Sequence, residues 1–291
     1  MPHRFTSPIG VGRTLRQFVL ACACAALCIG AVTSASAQAA STLPTVSASV
    51  SPTSITISGA LQAGAVNVAS TASSGKEPSV VLFELKPGVA LSEFYSVLDS
   101  NKLSSDPNAA AKYGTIVFDA EAGKGTASEA QTVLQAGQYV AFNAEGEKSS
   151  KWARTSFAVA ASTAPAALPA PQATVKSIDF GFRGPATLKV GEVVRFENEG
   201  YLVHMDIAFP VKSQKAAKTA LKALATGHEK GIEKLVVGPP VSFAGPISTG
   251  AFQQQTITAK PGWYVQACFM PTQDGRPHTL IGMERIIKIL K

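Results

Sequence analysis

Cys268, His278 and Met283 place a thiol, an imidazole and a thioether on one short stretch, Cys268-Phe-Met-Pro-Thr-Gln-Asp-Gly-Arg-Pro-His278-Thr-Leu-Ile-Gly-Met283. A thiolate and a neutral imidazole favour copper over hard cations, and a weak, distant thioether completes a trigonal arrangement of two imidazoles and one thiolate. One imidazole is still needed. The other histidines are His3, His204 and His228, and only His204 lies on an apolar, strand-like run (Tyr201-Leu-Val-His-Met-Asp-Ile-Ala-Phe209) that can carry it rigidly to the loop. The residues therefore nominate His204, Cys268, His278 and Met283 as the ligands of one copper ion, and His228, beside Glu229 and Lys230, reads as a surface histidine.

Ligands so far apart in sequence require a rigid frame, and the pattern around them is that of short strands. Ile55–Ile57, Ala65–Val68, Ser79–Leu85, Thr115–Phe118, Gln131–Leu134, Tyr139–Phe142 and Ser156–Val159 are β-like runs punctuated by Gly, Pro and Asn, the pattern of an antiparallel sandwich. One helix interrupts them, with Ser92 as its cap and Leu91, Phe94 and Leu98 on one face. Residues 40–55, rich in Ser, Thr, Ala and Pro, read as a flexible lead-in. Residues 161–174 contain three prolines and no charge and read as a semi-extended linker between domains 40–160 and 175–291.

The second half repeats the first. Leu134-Gln-Ala-Gly137-Gln-Tyr139-Val-Ala-Phe-Asn143 aligns with Ala259-Lys-Pro-Gly262-Trp-Tyr264-Val-Gln-Ala-Cys268, so Tyr139 and Tyr264 both occupy a tyrosine-corner position. The same alignment puts Ser79 and Asn143 where the second half has His204 and Cys268. Residues 40–160 contain no His, Cys or Met at all, so that half cannot hold a soft-metal site. Between His204 and Cys268, Lys212, Lys215, Lys218 and Lys222 recur at helical spacing beside Ala217, Leu221 and Leu224, which predicts a helix with one basic and one apolar face ending near Gly227.

The order His, long gap, Cys, His, Met resembles the cupredoxins, the type 1 blue-copper proteins of plastocyanin and azurin type. Gly262-x-Tyr264-x-x-x-Cys268 is similar to the strand that carries the copper cysteine in that family, and Asn198 in Phe-Glu-Asn-Glu-Gly looks like the Asn preceding the first histidine. The resemblance covers roughly the last 115 residues. Nine residues separate Cys268 from His278, a longer loop than in small cupredoxins and more like the type 1 loop of copper nitrite reductases. The resemblance implies an all-β protein of two cupredoxin-like Greek-key sandwiches, each with a short helical insertion. The second would carry a type 1 centre and the first would be a ligand-free copy. It also implies one-electron transfer, with the loop histidine, His278, near the surface as the electron port.

Arg4, Arg13 and Arg16, an apolar run from Phe18 to Val32 and the small residues Ala35-Ser-Ala37-Gln-Ala39 read as a cleaved signal peptide over residues 1–39, hence an exported, periplasmic or extracellular protein with no membrane span after cleavage. Cleavage removes Cys22, Cys24 and Cys28 and leaves Cys268 as a lone thiol, which cannot form an internal disulfide. The net charge of +7 falls to +4 with the signal; residues 41–160 carry −2 and residues 161–291 carry +6. This basic half predicts an acidic redox partner, and no interleaved basic and aromatic stripe points to nucleic acid. An enzyme of the nitrite-reductase kind would need further histidines for a second copper, and no Ser-His-Asp or HExxH arrangement is present. The remaining alternative is a binding or structural module, or a copper storage or delivery protein without redox turnover.

Overall fold

The computed structural model describes residues 43–75, 77–228 and 231–291. Residues 1–39, read above as a signal peptide, lie outside the described residues, with His3 and the three other cysteines. Leu43–Lys291 form one compact unit.

The first half contains β1 (Thr45–Val50), β2 (Ile55–Gly59), β3 (Gly64–Ala72), β4 (Ser79–Leu85), β5 (Gly114–Glu121), the two-residue β6 (Gly123–Lys124), β7 (Ser128–Leu134), β8 (Gly137–Phe142) and β9 (Arg154–Val159). Helices α1 (Leu91–Asp99) and α2 (Lys102–Ser105) and a 3-10 turn at Pro107–Lys112 lie between β4 and β5. The second half contains β10 (Ala173–Ile178), β11 (Gly181–Arg183), β12 (Thr187–Lys189), β13 (Val193–Asn198), β14 (His204–Val211), α3 (Gln214–Ala225), β15 (Val241–Ile247), β16 (Phe252–Thr256), β17 (Gly262–Ala267) and β18 (Glu284–Leu290).

The two halves share one pairing scheme. β1 pairs antiparallel with β2 and parallel with β3, as β10 does with β11 and β13. β4 lies between β5 and β8, with β9 beyond, as β14 lies between β15 and β17, with β18 beyond. Each half is thus a two-layer sandwich, and both tyrosine corners are made: Tyr139 Oη donates to the Gln135 carbonyl at 3.0 Å and Tyr264 Oη to the Lys260 carbonyl at 2.7 Å.

Two local expectations are corrected. Residues 45–50 are a strand rather than a flexible lead-in, because Thr45-Val-Ser-Ala-Ser-Val50 alternates, with Val46, Ala48 and Val50 buried and the small polar residues outside. Helix α1 starts one residue before Ser92; Ala90 is the cap, and its N–H is accepted by Glu93 Oε2 at 3.1 Å. The predicted apolar face holds: Phe94, Val97 and Leu98 pack on the outer face of the β4–β8 layer, where Phe94 stacks on Phe83 at 4.0 Å between ring centroids. Burying each such side chain is worth about 1.5–3 kcal/mol. Helix α3 covers the matching face of the second half with Ala217, Ala220 and Leu224 against Val265 and Ala267.

One layer runs across the boundary between the halves, and in the other the two sheets abut there. One sheet is continuous in the order β11-β10-β13-β16-β7-β3-β1-β2, joined where Gln254 faces Gln131. Buried Gln254 secures this join: its Nε2 donates to Gln131 Oε1 at 2.9 Å, and its Oε1 accepts from Arg195 Nε at 3.1 Å. In the other layer the edge strands β5 and β15 abut, with Ser248 N–H donating to the Ile116 carbonyl and Ile116 N–H to Ser248 Oγ. Each edge is therefore covered by the other half rather than left open to pairing with another chain. Between β9 and β10, the Ala166 carbonyl accepts from Ala65 N–H and the Pro169 carbonyl from Gln254 Nε2.

Candidate metal centre

Adjacent strand ends bring the ligands together. His204 opens β14, Cys268 directly follows β17 and Met283 directly precedes β18. β17 is flanked by β14 and β18, so all three meet at one end of the layer; Cys268 N–H donates to the Met283 carbonyl at 3.1 Å. The long loop returns His278 by folding on itself. Thr272 N–H donates to the Arg276 carbonyl, Gly275 supplies the left-handed turn at φ +80°, and His278 N–H donates to the Met270 carbonyl at 2.9 Å. The 3-10 turn His278–Ile281 follows, and Met283 N–H closes on the His278 carbonyl at 3.0 Å.

Three donor atoms face one another. His204 Nδ1 and His278 Nδ1 are 3.1 Å apart, and Cys268 Sγ lies 3.7 Å from the first and 3.4 Å from the second. A point in their plane lies about 2 Å from all three, a metal–imidazole bond length. His204, Cys268 and His278 form the one such cluster among the described residues, and Met283 is fully buried beside them. Burial pushes the Cys268 thiol up to about 12 and pulls His278 down to about 4, the latter helped by the neighbouring His204. Both imidazoles are thereby held neutral, and a bound cation would convert the thiol to thiolate. No carboxylate belongs to the cluster, which disfavours hard cations, and the soft donor set fits copper.

The surroundings fix the ligands. His204 Nε2 lies 3.1 Å from Asp179 Oδ1, so the ring presents Nδ1 to the metal position. Against burial, which raises it, the Tyr201 and Leu202 N–H groups and His204 hold the Asp179 carboxyl below its ordinary range. Gly200 makes this approach possible, because a Cβ there would sit 2.5 Å from both His204 Nε2 and Asp179 Oδ1. Asn198 ties the loops, with Nδ2 donating to the Leu202 and Ile247 carbonyls at 2.8 Å each and Oδ1 accepting from Gly200 N–H. Met205 N–H points at Cys268 Sγ at 3.4 Å.

Sequence reasoning passed over Asp179, Phe180 and Gly200. The available signal was the turn Ile-Asp-Phe-Gly between two short apolar runs, which places two side chains at the tip of the β10–β11 hairpin. One implied feature is refined. His278 is not itself open to solvent: it is fully buried one side chain below the surface, where Phe180, held at φ +67°, covers it with ring centroids 5.7 Å apart and planes at 84°. His228 is exposed, hydrogen-bonds Thr226 and takes no part in the cluster.

The sequence matches no known family description and no curated protein. Among solved structures, auracyanin B is similar at 18% identity over 43% of this chain and 93% of its own, with a TM-score of 0.27. A purple cupredoxin from Nitrosopumilus maritimus is similar at 12% identity over 40% of this chain and 99% of its own, with a TM-score of 0.24. A copper-containing nitrite reductase from Thermus scotoductus SA-01 is similar at 14% identity over 85% of this chain and 67% of its own, with a TM-score of 0.25. His204, Cys268 and His278 thus bring two imidazole nitrogens and a thiol to one point, a soft donor set that fits copper, in the second of two β-sandwiches of the cupredoxin kind, with buried Met283 bonded through its carbonyl to Cys268 N–H.

Proposed function

We propose that the protein is an exported one-electron carrier rather than an enzyme. The observation that carries this reading is the closed, dry donor set: His204 is 1% exposed and Cys268, His278 and Met283 are fully buried, so a substrate cannot reach the metal position and electrons must pass through the protein. A site of two imidazoles, one thiolate and a weak thioether lies between the preferences of the two copper oxidation states, which keeps rearrangement on electron transfer small. Phe180 is 42% exposed and packs on His278, and so offers a covered path one side chain long from solvent to the imidazole. The histidine count argues against a second, catalytic copper, since outside residues 1–39 His204 and His278 are used and His228 is left.

The leader over residues 1–39 supports export, and no described helix is long and apolar enough to cross a membrane. Lys212, Lys215, Lys218 and Lys222 are exposed around α3, while its apolar residues face inward, which supports an acidic redox partner steered by charge. The test is a visible spectrum and voltammogram of the copper-loaded protein. A strong thiolate-to-copper band with a reversible one-electron wave is expected. A colourless, folded, copper-loaded protein would sink the reading and leave storage or delivery in its place.

A further inference from the structure

The first half contributes no ligand, yet it touches both loops that do. Asn108 lies in the 3-10 turn Pro107–Lys112, where Pro107 fixes the entry and Asp106 Oδ1 accepts from Asn108 N–H at 3.1 Å. Its side chain reaches across the boundary. Oδ1 accepts from Val203 N–H at 2.7 Å, one residue before His204, and Nδ2 donates to the Pro271 carbonyl at 3.4 Å, three residues after Cys268. One planar amide thus spans the two ligand loops, and its donor and acceptor can satisfy both only in this orientation.

Packing reinforces the same two points. The Val203 side chain is buried in the cluster of Phe83, Phe94, Leu98 and Phe142, and Met270 packs against that cluster from the Cys268 loop. The Met270 carbonyl in turn receives His278 N–H. The helical insertion of the metal-free half is therefore the floor on which His204 and the Cys268–His278 loop both rest.

We propose that Asn108 is a positioning residue for the metal centre, and that the metal-free half serves as a brace that sets the spacing between His204 and Cys268. This rests on the copper reading, but its geometry concerns the loops alone. Loss of the brace loosens the ligand spacing without removing a ligand, so it acts on copper release and on the shape of the visible spectrum.

The test compares the full-length protein with Asn108→Ala and Asn108→Asp, the second keeping the acceptor for Val203 N–H and losing the donor to Pro271. In the metal-free protein, amide hydrogen exchange at Val203 is expected to accelerate about tenfold in Asn108→Ala, with β18 amides unchanged. In the copper-loaded protein, release to a chelator is expected to be about tenfold faster, the usual scale for outer-shell partners of a ligand. The ratio of the thiolate bands should shift, and Asn108→Asp should fall between. Unchanged release and band ratio in both variants overturn the proposal, as does equal acceleration of exchange at Val203 and throughout β18, which would mark a general loss of stability. If the parent protein lacks the thiolate band, the copper reading fails, and the exchange at Val203 still decides the brace.

Discussion

Ser79 and Asn143 hold in the first half the places that His204 and Cys268 hold in the second, and they hold them with a reciprocal clamp. Ser79 N–H donates to Asn143 Oδ1 at 3.0 Å, while Ser79 Oγ accepts from Ala144 N–H at 3.2 Å. Asn143 N–H donates to the Ala153 carbonyl, as Cys268 N–H does to the Met283 carbonyl. The backbone frame of a metal site is kept, and hydrogen bonds fill its centre. Asn143→Ala should therefore cost about 1–3 kcal/mol, because it leaves buried partners unsatisfied. Thermal unfolding should show that loss while copper stoichiometry and colour stay as in the parent; a colourless variant would contradict the separation of roles.

Asp179 gives the most direct control over the potential. Its carboxylate lies 3.1 Å from His204 Nε2 and favours the more highly charged oxidation state of the metal. Asp179→Asn keeps an acceptor and removes the charge, so the reduction potential should rise by about 60 mV, equivalent to a tenfold change for a one-electron couple. Met283→Leu should also raise the potential with colour retained, whereas Cys268→Ser should abolish the visible band. A serine variant of full colour would end the type 1 assignment.

The strands and the grouping of His204, Cys268 and His278 were legible because each depends on local pattern or on residue chemistry. Ser79–Leu85 is bounded as its apolar run predicts, and the thiol that shares a short stretch with an imidazole pointed to Cys268. Strand β1 was hidden because its alternating valines, Val46 and Val50, are spaced by small Ser and Ala residues in a stretch rich in Ser, Thr, Ala and Pro, a composition that reads as a flexible lead-in. Asp179 and Asn108 were hidden for a different reason: their partners, His204 and Val203, are 25 and 95 residues away in the chain, and only the folded register brings them together.

Copper uptake should depend on pH through Cys268. Its thiol is pushed up to about 12 by burial, so it is protonated in the metal-free protein at every working pH, and binding must release that proton. Apparent affinity should rise about tenfold for each pH unit between about 5 and 9. The dependence should steepen below about 4, where His278 also holds a proton. Competition against a chelator of known pH behaviour measures this slope. A flat profile would mean that the sulfur does not bind as thiolate.

Asp119 supplies a pH effect that does not involve the metal. It is buried at the seam against Gly245, where a Cβ would lie 2.4 Å from its Cγ, and it lines an apolar cavity of about 70 Å³ with Val81, Phe83, Phe142 and Trp152. Its N–H is satisfied by Gln253 Oε1, and burial raises the pKa of its carboxyl well above 3.8. Below the unfolded value of 3.8 both states are protonated and the site has no cost. As pH rises, the unfolded chain releases its proton first, so the folded state loses stability until the folded value is passed, by up to about 1.4 kcal/mol per pH unit. Asp119→Asn removes the ionisation and keeps the shape. Its unfolding midpoint should match the parent near pH 3.5 and exceed it increasingly toward pH 8, although Asp206 and Glu284, each raised to about 7 by burial, give both proteins the same background slope. Parallel stability curves over that range would show that the Asp119 carboxyl ionises as freely in the folded protein as in the unfolded chain.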